Sequence, residues 1–333
     1  MKIRRRDLLK GMAGGLALAA LDAPGESRAS AQGLPPEAVG ILYDSTLCVG
    51  CNACMSACKK ANNMPVESDS PEQFQDNPID LSSKTLNIIK KFQDGTGAVK
   101  DQAKDGYAFI KRQCLHCIEA SCATACPVAA LAKDPVTGIV TYDKDRCIGC
   151  RYCQVACPFH IPKFEWDKAY SMIVKCQLCS HLIPEGKFAA CCWVCPTGAS
   201  LYGRVEDLRR EAQRRLQMTA GETYKFPVRR VDSGVTQEHV APKYQQHIYG
   251  LEELGGTQVM YLSAVPFEKF GLNDFPKDSY ATTAANMQSA IYKGLVMPAV
   301  GLAALYCVIR KNKLAEDAEI AARAKEQGGE HHA

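Results

Sequence analysis

Two apolar runs, one near each end, stand out from an otherwise mixed chain. The first, Gly11–Leu21, follows the basic head MKIRRRDLLK and precedes the small-residue site Ala29-Ser30-Ala31. It is too short to span a bilayer and predicts an export signal over residues 1–31. The second, Ala290–Ile309 (AIYKGLVMPAVGLAALYCVI), holds 20 residues with one charge, Lys293. A helix of that length covers roughly 30 Å, the thickness of a hydrocarbon core. Lys293 lies one turn from its start, where a long side chain can snorkel, and a membrane helix tolerates Pro298. The competing reading is a buried core helix. Arg310, Lys311 and Lys313 follow at once, which assigns the tail 310–333 to the cytoplasm. His331 and His332 read as plain tail.

Between these runs the pattern changes to short β-branched stretches, each leading into a cysteine-rich loop. Ile41–Tyr43, Tyr107–Ile110 and Ile139–Tyr142 predict short strands, the last entered through the turn Asp134-Pro135-Val136-Thr137-Gly138. Val205–Met218 predicts a helix with Val205, Leu208, Ala212 and Leu216 on one face and its arginines on a solvated face. Residues 59–113, containing PVESDSPEQFQDNP, predict a polar, loop-rich insertion. Residues 219–289 are punctuated by proline and glycine and read as an extension wrapping the cysteine domain. Within it His239 and His247 have no metal-like spacing and read as structural or interface residues.

Composition narrows the class. The 333 residues are 47% apolar and 23% charged, an ordinary packed globule of about two domains with appendages. Net charge is +4, and outside residues 1–31 the balance falls to +1, so nucleic-acid binding has no electrostatic basis. Arg5-Arg6 followed by Asp-Leu-Leu-Lys fits a twin-arginine signal, with Leu8 where phenylalanine is commoner, ahead of a general secretory signal. That route carries folded proteins, so bound cofactors can be inserted before transport by the twin-arginine translocase.

The decisive count is cysteine. Of 18, all but Cys307 fall between Cys48 and Cys195, and sixteen form four groups. These are Cys48, Cys51, Cys54, Cys58; Cys114, Cys117, Cys122, Cys126; Cys147, Cys150, Cys153, Cys157; and Cys176, Cys179, Cys191, Cys195. The third is the bacterial ferredoxin run C-x-x-C-x-x-C-x-x-x-C-P, in which three thiolates wrap one cube and the fourth reaches its neighbour. Sixteen thiolates suffice for four [4Fe–4S] clusters. Disulfide scaffolds do not repeat this spacing, zinc needs only two pairs per ion, and no C-x-x-C-H haem site occurs. Cys191 restores the x-x-x-Cys195 spacing and is the preferred ligand, with Cys192 the alternative. Cys307 reads as a small apolar residue. The predicted fold class is α+β: tandem bacterial-ferredoxin-like two-cluster units, short hairpins and helices around the clusters, plus one C-terminal transmembrane helix.

With those groups in order, ILYDSTLCVGCNAC at the first, APKY at Ala241–Tyr244, GGTQVMYLSAVPFE at Gly255–Glu268 and IYKGLVMPAVGL at Ile291–Leu302, the chain resembles a known family. It is similar to four-cluster ferredoxin-type subunits of respiratory oxidoreductases, above all the membrane-anchored iron–sulfur subunits of type-2 [NiFe] hydrogenases. The resemblance implies crosswise ligation. Cys48, Cys51 and Cys54 would join Cys195; Cys176, Cys179 and Cys191 would join Cys58. Likewise Cys114, Cys117 and Cys122 would join Cys157, and Cys147, Cys150 and Cys153 would join Cys126. Cys58 departs from the pattern in being followed by Lys59 rather than proline. The implied function is a non-catalytic relay of single electrons from the small and large subunits of a periplasmic [NiFe] hydrogenase to a multi-span quinone-reactive membrane subunit. The expected organisation is a cluster domain over 32–218, the extension 219–289, a span over 290–309 and a cytoplasmic tail 310–333, with the clusters in the periplasm. The alternatives are the iron–sulfur subunit of a membrane formate dehydrogenase or other molybdopterin enzyme, and an autonomous redox sensor using Cys192.

Overall fold

The computed structural model describes residues 33–65 and 78–328. The signal-peptide reading, residues 66–77 of the insertion and the histidines of the tail lie outside the described residues. In chain order the elements that frame the cysteines are β1 (Val39–Asp44), α1 (Ala53–Ala61), β2 (Ile88–Gln93), β3 (Val99–Lys100), β4 (Gly106–Arg112) and α2 (Ser121–Thr124). After them come β5 (Leu131–Lys133), β6 (Val140–Tyr142), α3 (Tyr152–Ala156), β7 (Lys163–Phe164), β8 (Ile173–Val174), α4 (Ala190–Trp193), β9 (Ser200–Arg204) and α5 (Val205–Leu216). The chain continues through the hairpin β10–β11 (Thr223–Pro227, Thr236–Val240), then β12 (Val259–Leu262) and α6 (Tyr280–Gly328).

A three-stranded sheet with β1 at its centre separates two cores. β1 runs antiparallel to β9 and parallel to β12, which places Leu42 opposite Leu201 and Met260, and Tyr43 opposite Tyr261. Successive strand residues point to opposite faces. Leu42, Leu201, Met260 and Leu262 therefore share one face, buried against Val205, Leu208 and Ala212 of α5. Ile41, Tyr43, Val259 and Tyr261 share the other, which belongs to the cysteine-rich core. Both faces are covered, so β1 is apolar at nearly every position rather than alternating.

Three local expectations change here. The insertion is not loop throughout: its second half folds as the sheet β2–β4–β3, with Ile88, Ile89, Phe109 and Ile110 buried. The extension does more than wrap, because β12 is an edge strand of the central sheet, fully buried. And the arginines of α5 are not all solvated. Arg215 is fully buried, donating to Asp44 at 2.8 Å and Glu211 at 2.8 Å, with its guanidinium over the Phe226 ring. Tyr244 also donates to Asp44, at 2.6 Å. A long charged side chain entered the core because two carboxylates were there to meet it.

The compact unit ends at Thr282. Ser279 caps the helix that starts beside it, accepting the Thr282 backbone N–H at 3.0 Å. Both Ser279 and Thr282 hydroxyls donate to the Glu119 carboxylate. α6 is helical straight through Pro298 and beyond the apolar run. Its apolar window is wholly unburied, which overturns the core-helix alternative. Among the described residues it is the one helix long and apolar enough to cross a membrane.

Candidate metal centres

The four cysteine groups share one backbone feature. The residue immediately before the second cysteine is left-handed in every case: Gly50 (φ 70°), His116 (φ 50°), Gly149 (φ 69°) and Leu178 (φ 53°). That kink turns the loop around a centre and points its amides inward. Gly149 N–H donates to Cys147 Sγ at 3.4 Å, Leu178 N–H to Cys176 Sγ at 3.4 Å, and Gly50 N–H to the Cys48 sulfur. Glycine is required at position 50 for a second reason: a Cβ there would lie 2.4 Å from the Phe109 ring. Asn52 and Arg151, also left-handed, then open α1 and α3, which carry Cys54 and Cys58, and Cys153 with Cys157 at the exit.

α1 packs on α4 and α2 packs on α3. Group one therefore meets group four, and group two meets group three. Cys54 has Cys191, Cys48 and Cys195 as its sulfur neighbours, and Cys58 has Cys176, Cys191 and Cys179. Cys117 is surrounded by Cys157, Cys114 and Cys122, and Cys153 by Cys126, Cys147 and Cys150. The sets also lie within electrostatic reach of one another, Cys54 of Cys191, Cys176 of Cys114, and Cys122 of Cys153. Of the sixteen cysteines in the four groups, Cys51 and Cys150 are exposed. Their chain neighbours include the exposed apolar side chains Val49 beside the first and Ile148 and Tyr152 beside the second.

Electrostatics bear on what these thiols can hold. Burial pushes Cys54, Cys122 and Cys176 up to about 12, and Cys157 up to about 11, with neighbouring cysteines adding to the rise. Thiols crowded this way ionise together only when positive charge is supplied among them. Part is built in. Lys111 is fully buried, and although burial alone disfavours its ammonium, Cys191, Cys192 and Cys54 hold it well above the usual lysine range. Cys191 shares its surroundings with Cys192: the nearby Lys111 ammonium favours a thiolate on this adjacent pair, and burial opposes it. Lys175, one residue before Cys176, is also buried and donates to the carbonyls of Val140 and Cys176.

The donor set is all thiol, sixteen cysteines in four groups, which is the chemistry of [4Fe–4S] ligation. A tetrahedral zinc would draw its thiolates to within about 4 Å of one another, whereas a cube spaces them on separate corners. His116 supplies a further sign. It is fully buried and accepts the Val140 N–H at Nδ1 (3.1 Å). Burial and the nearby Lys175 and Lys133 keep it neutral, so its proton sits on Nε2, which has no acceptor among the described residues. A sulfur-rich group beside Cys117 would satisfy it.

Four contributors escaped the sequence reading: Lys111, Lys175, His116 and Tyr43. Tyr43 donates to the Phe109 carbonyl at 3.1 Å and stands against Cys48. Lys175 and His116 did carry a signal, each being adjacent to a cysteine of a group. His239, read as structural or interface, lies edge-on to Phe226, and His247, read the same way, pairs with Glu253 at 2.6 Å. Cys307 is exposed on α6.

The kinked loops, crossed helices and sulfur sets define an iron–sulfur protein of the ferredoxin type, and a family model described as a 4Fe-4S dicluster domain matches residues 106–205. Over 317 residues the chain is 43% identical to the "Hydrogenase-2 operon protein HybA" of Escherichia coli O157:H7, covering 93% of this chain and 96% of that protein. The chain belongs to the family of that protein. It is also 30% identical over 286 residues to the iron–sulfur subunit of the nitrate-inducible formate dehydrogenase of Escherichia coli K12, covering 84% of this chain and 88% of the relative.

Proposed function

We propose that the chain is a non-catalytic electron-transfer subunit that relays single electrons through four [4Fe–4S] clusters between a periplasmic [NiFe] hydrogenase and a quinone-reactive membrane subunit. The observation that carries this is the packing of α1 on α4 and α2 on α3, which brings the four cysteine groups together in pairs, joined to identity over nearly the whole length with a hydrogenase-2 operon protein. The ligand sets are Cys48, Cys51, Cys54 with Cys195; Cys176, Cys179, Cys191 with Cys58; Cys114, Cys117, Cys122 with Cys157; and Cys147, Cys150, Cys153 with Cys126. Each set would hold one cube, and the chemistry a bound cube would supply there is one-electron exchange.

The chain's own residues do the rest. The kinked loops aim amide N–H groups at cysteine sulfur, which favours the more negative state. The buried lysines add fixed positive charge, and the apolar core keeps water from the inner sets. The exposed sites at Cys51 and Cys150, with their apolar neighbours, are the surfaces through which electrons enter and leave. α6 anchors the chain in the inner membrane through residues 290–309, with the cluster domain in the periplasm and the tail in the cytoplasm. The signal 1–31, the cluster domain 32–218 and the extension 219–289 complete that organisation. The twin-arginine translocase delivers the folded domain.

The identity to a formate dehydrogenase iron–sulfur subunit supports a second reading, in which the relay is the same and the donor is a molybdopterin enzyme. Anaerobic purification from detergent-extracted membranes separates the two. About sixteen irons per chain with a co-purifying [NiFe] hydrogenase pair is the expected result. A molybdopterin subunit in its place moves the chain to the second reading, and zinc or disulfides with little iron overturn both.

A further inference from the structure

Lys111 is unusual among the buried charges of this molecule. Arg215, equally buried, is met by the carboxylates of Asp44 and Glu211. Lys111 has no carboxylate partner among the described residues: its hydrogen bond is to the neutral Ser200 hydroxyl, at 3.2 Å, and its ionisable neighbours are Cys191, Cys192 and Cys54. It sits on β4, whose register against β2 places it opposite Ile89 in the sheet folded from the insertion. Strand alternation puts it on the same face as Phe109, whose ring fills the space beside Gly50 in the first cysteine loop. Its neighbours Cys54 and Cys191 belong to two different sulfur sets, so the ammonium lies where those sets meet. An ammonium is removed from water here with only sulfur to compensate it, and that arrangement makes sense if the negative charge it balances is on the clusters.

We propose that Lys111 is a positioning charge for electron transfer, raising the reduction potentials of both clusters held by the first and fourth cysteine groups. The inference rests on the four-cluster reading. Reduction adds one negative charge to a cube. A positive charge beside it, near the Cys191 sulfur, stabilises the reduced state more than the oxidised one. Lys175 has a corresponding place in the other half, against Cys122. It also donates to the Cys176 carbonyl, so it stands between the set of Cys114, Cys117, Cys122 and Cys157 and the set of Cys176. Removing it should therefore reach a cluster that the loss of Lys111 does not.

The test is an anaerobic redox titration followed by electron paramagnetic resonance, with iron counted per chain, on the full-length protein in detergent. Lys111→Met is expected to lower two of the four potentials and leave the other two in place. Lys175→Met should instead lower one of the potentials that Lys111→Met spares, and Lys111→Arg, which keeps the charge, should restore values near those of the unaltered chain. If Lys111→Met loses iron, Lys111→Gln is read in the same way. Full iron with unchanged potentials in the charge-free variant overturns the assignment, as does an equal fall in all four. An unaltered chain without [4Fe–4S] signals overturns the relay reading itself, a failure distinct from the first because it precedes any substitution.

Discussion

Cys191 and Cys192 are adjacent and both buried in the same core. Cys191 is the one that neighbours Cys54 and Cys58, and we take it as the ligand. Cys191→Ala is therefore expected to lower the iron content by about four per chain, and Cys192→Ala to leave it unchanged, both read by iron analysis after anaerobic purification. The spacing to Cys195 already favoured Cys191. No spacing rule could have found Lys111 or Tyr43, because their partners Ser200 and Phe109 are 89 and 66 positions away. Chemistry that depends on contacts within a motif was legible, and chemistry that depends on contacts across the sheet was not. Arg215 falls between these cases. It continues the 205, 208, 212 spacing onto the apolar stripe of α5, but a helix repeat cannot show that Asp44 waits on β1 to receive it.

The first cysteine loop and α5 each turn on one residue. Gly50→Ala would combine a left-handed backbone, costing about 1–2 kcal/mol for a residue with a Cβ, with a contact of 2.4 Å to the Phe109 ring. The expected outcome is a lower melting temperature and loss of iron, with Val49→Ala next to it as a control that retains both. In α5, burial opposes ionisation of Glu211, but hydrogen bonds and charge from Arg214 and Arg215 outweigh it and hold the carboxyl below the usual glutamate range. Its contribution to stability is complete above the ordinary value of about 4.5 and is lost as the pH falls through the depressed folded value. Glu211→Gln should flatten that acid limb of a thermal-stability profile while lowering stability at neutral pH. The strands leading into the cysteine loops were readable from their β-branched residues. The sheet inside the insertion was not, because IIKKFQ exposes one end and reads as polar until β4 pairs with it.

For the whole molecule, the contact pattern closes a compact unit at Thr282, just where the helix cap and Glu119 meet. A chain ending at residue 282 is expected to keep its iron and to leave the membrane fraction for the soluble one on centrifugation. Retention in the membrane fraction would mean that surfaces other than α6 hold it there. The apolar run at 290–309 was plain in the sequence, but the helix that contains it, Tyr280–Gly328, is more than twice as long, since hydropathy marks only what lipid can cover. The crossing of groups one with four and two with three needs the fold, which sets α1 on α4 and α2 on α3.

Cys51 and Cys150, the exposed members of the four cysteine groups, would set how the proposed relay ages. Oxygen and water reach those corners first, so decay in air starts there and works inward, while the buried corners stay intact longest. A docked neighbour over each would seal the weak points. The lone subunit is then perishable and the assembled complex durable, and assembly is as much a matter of preservation as of delivery.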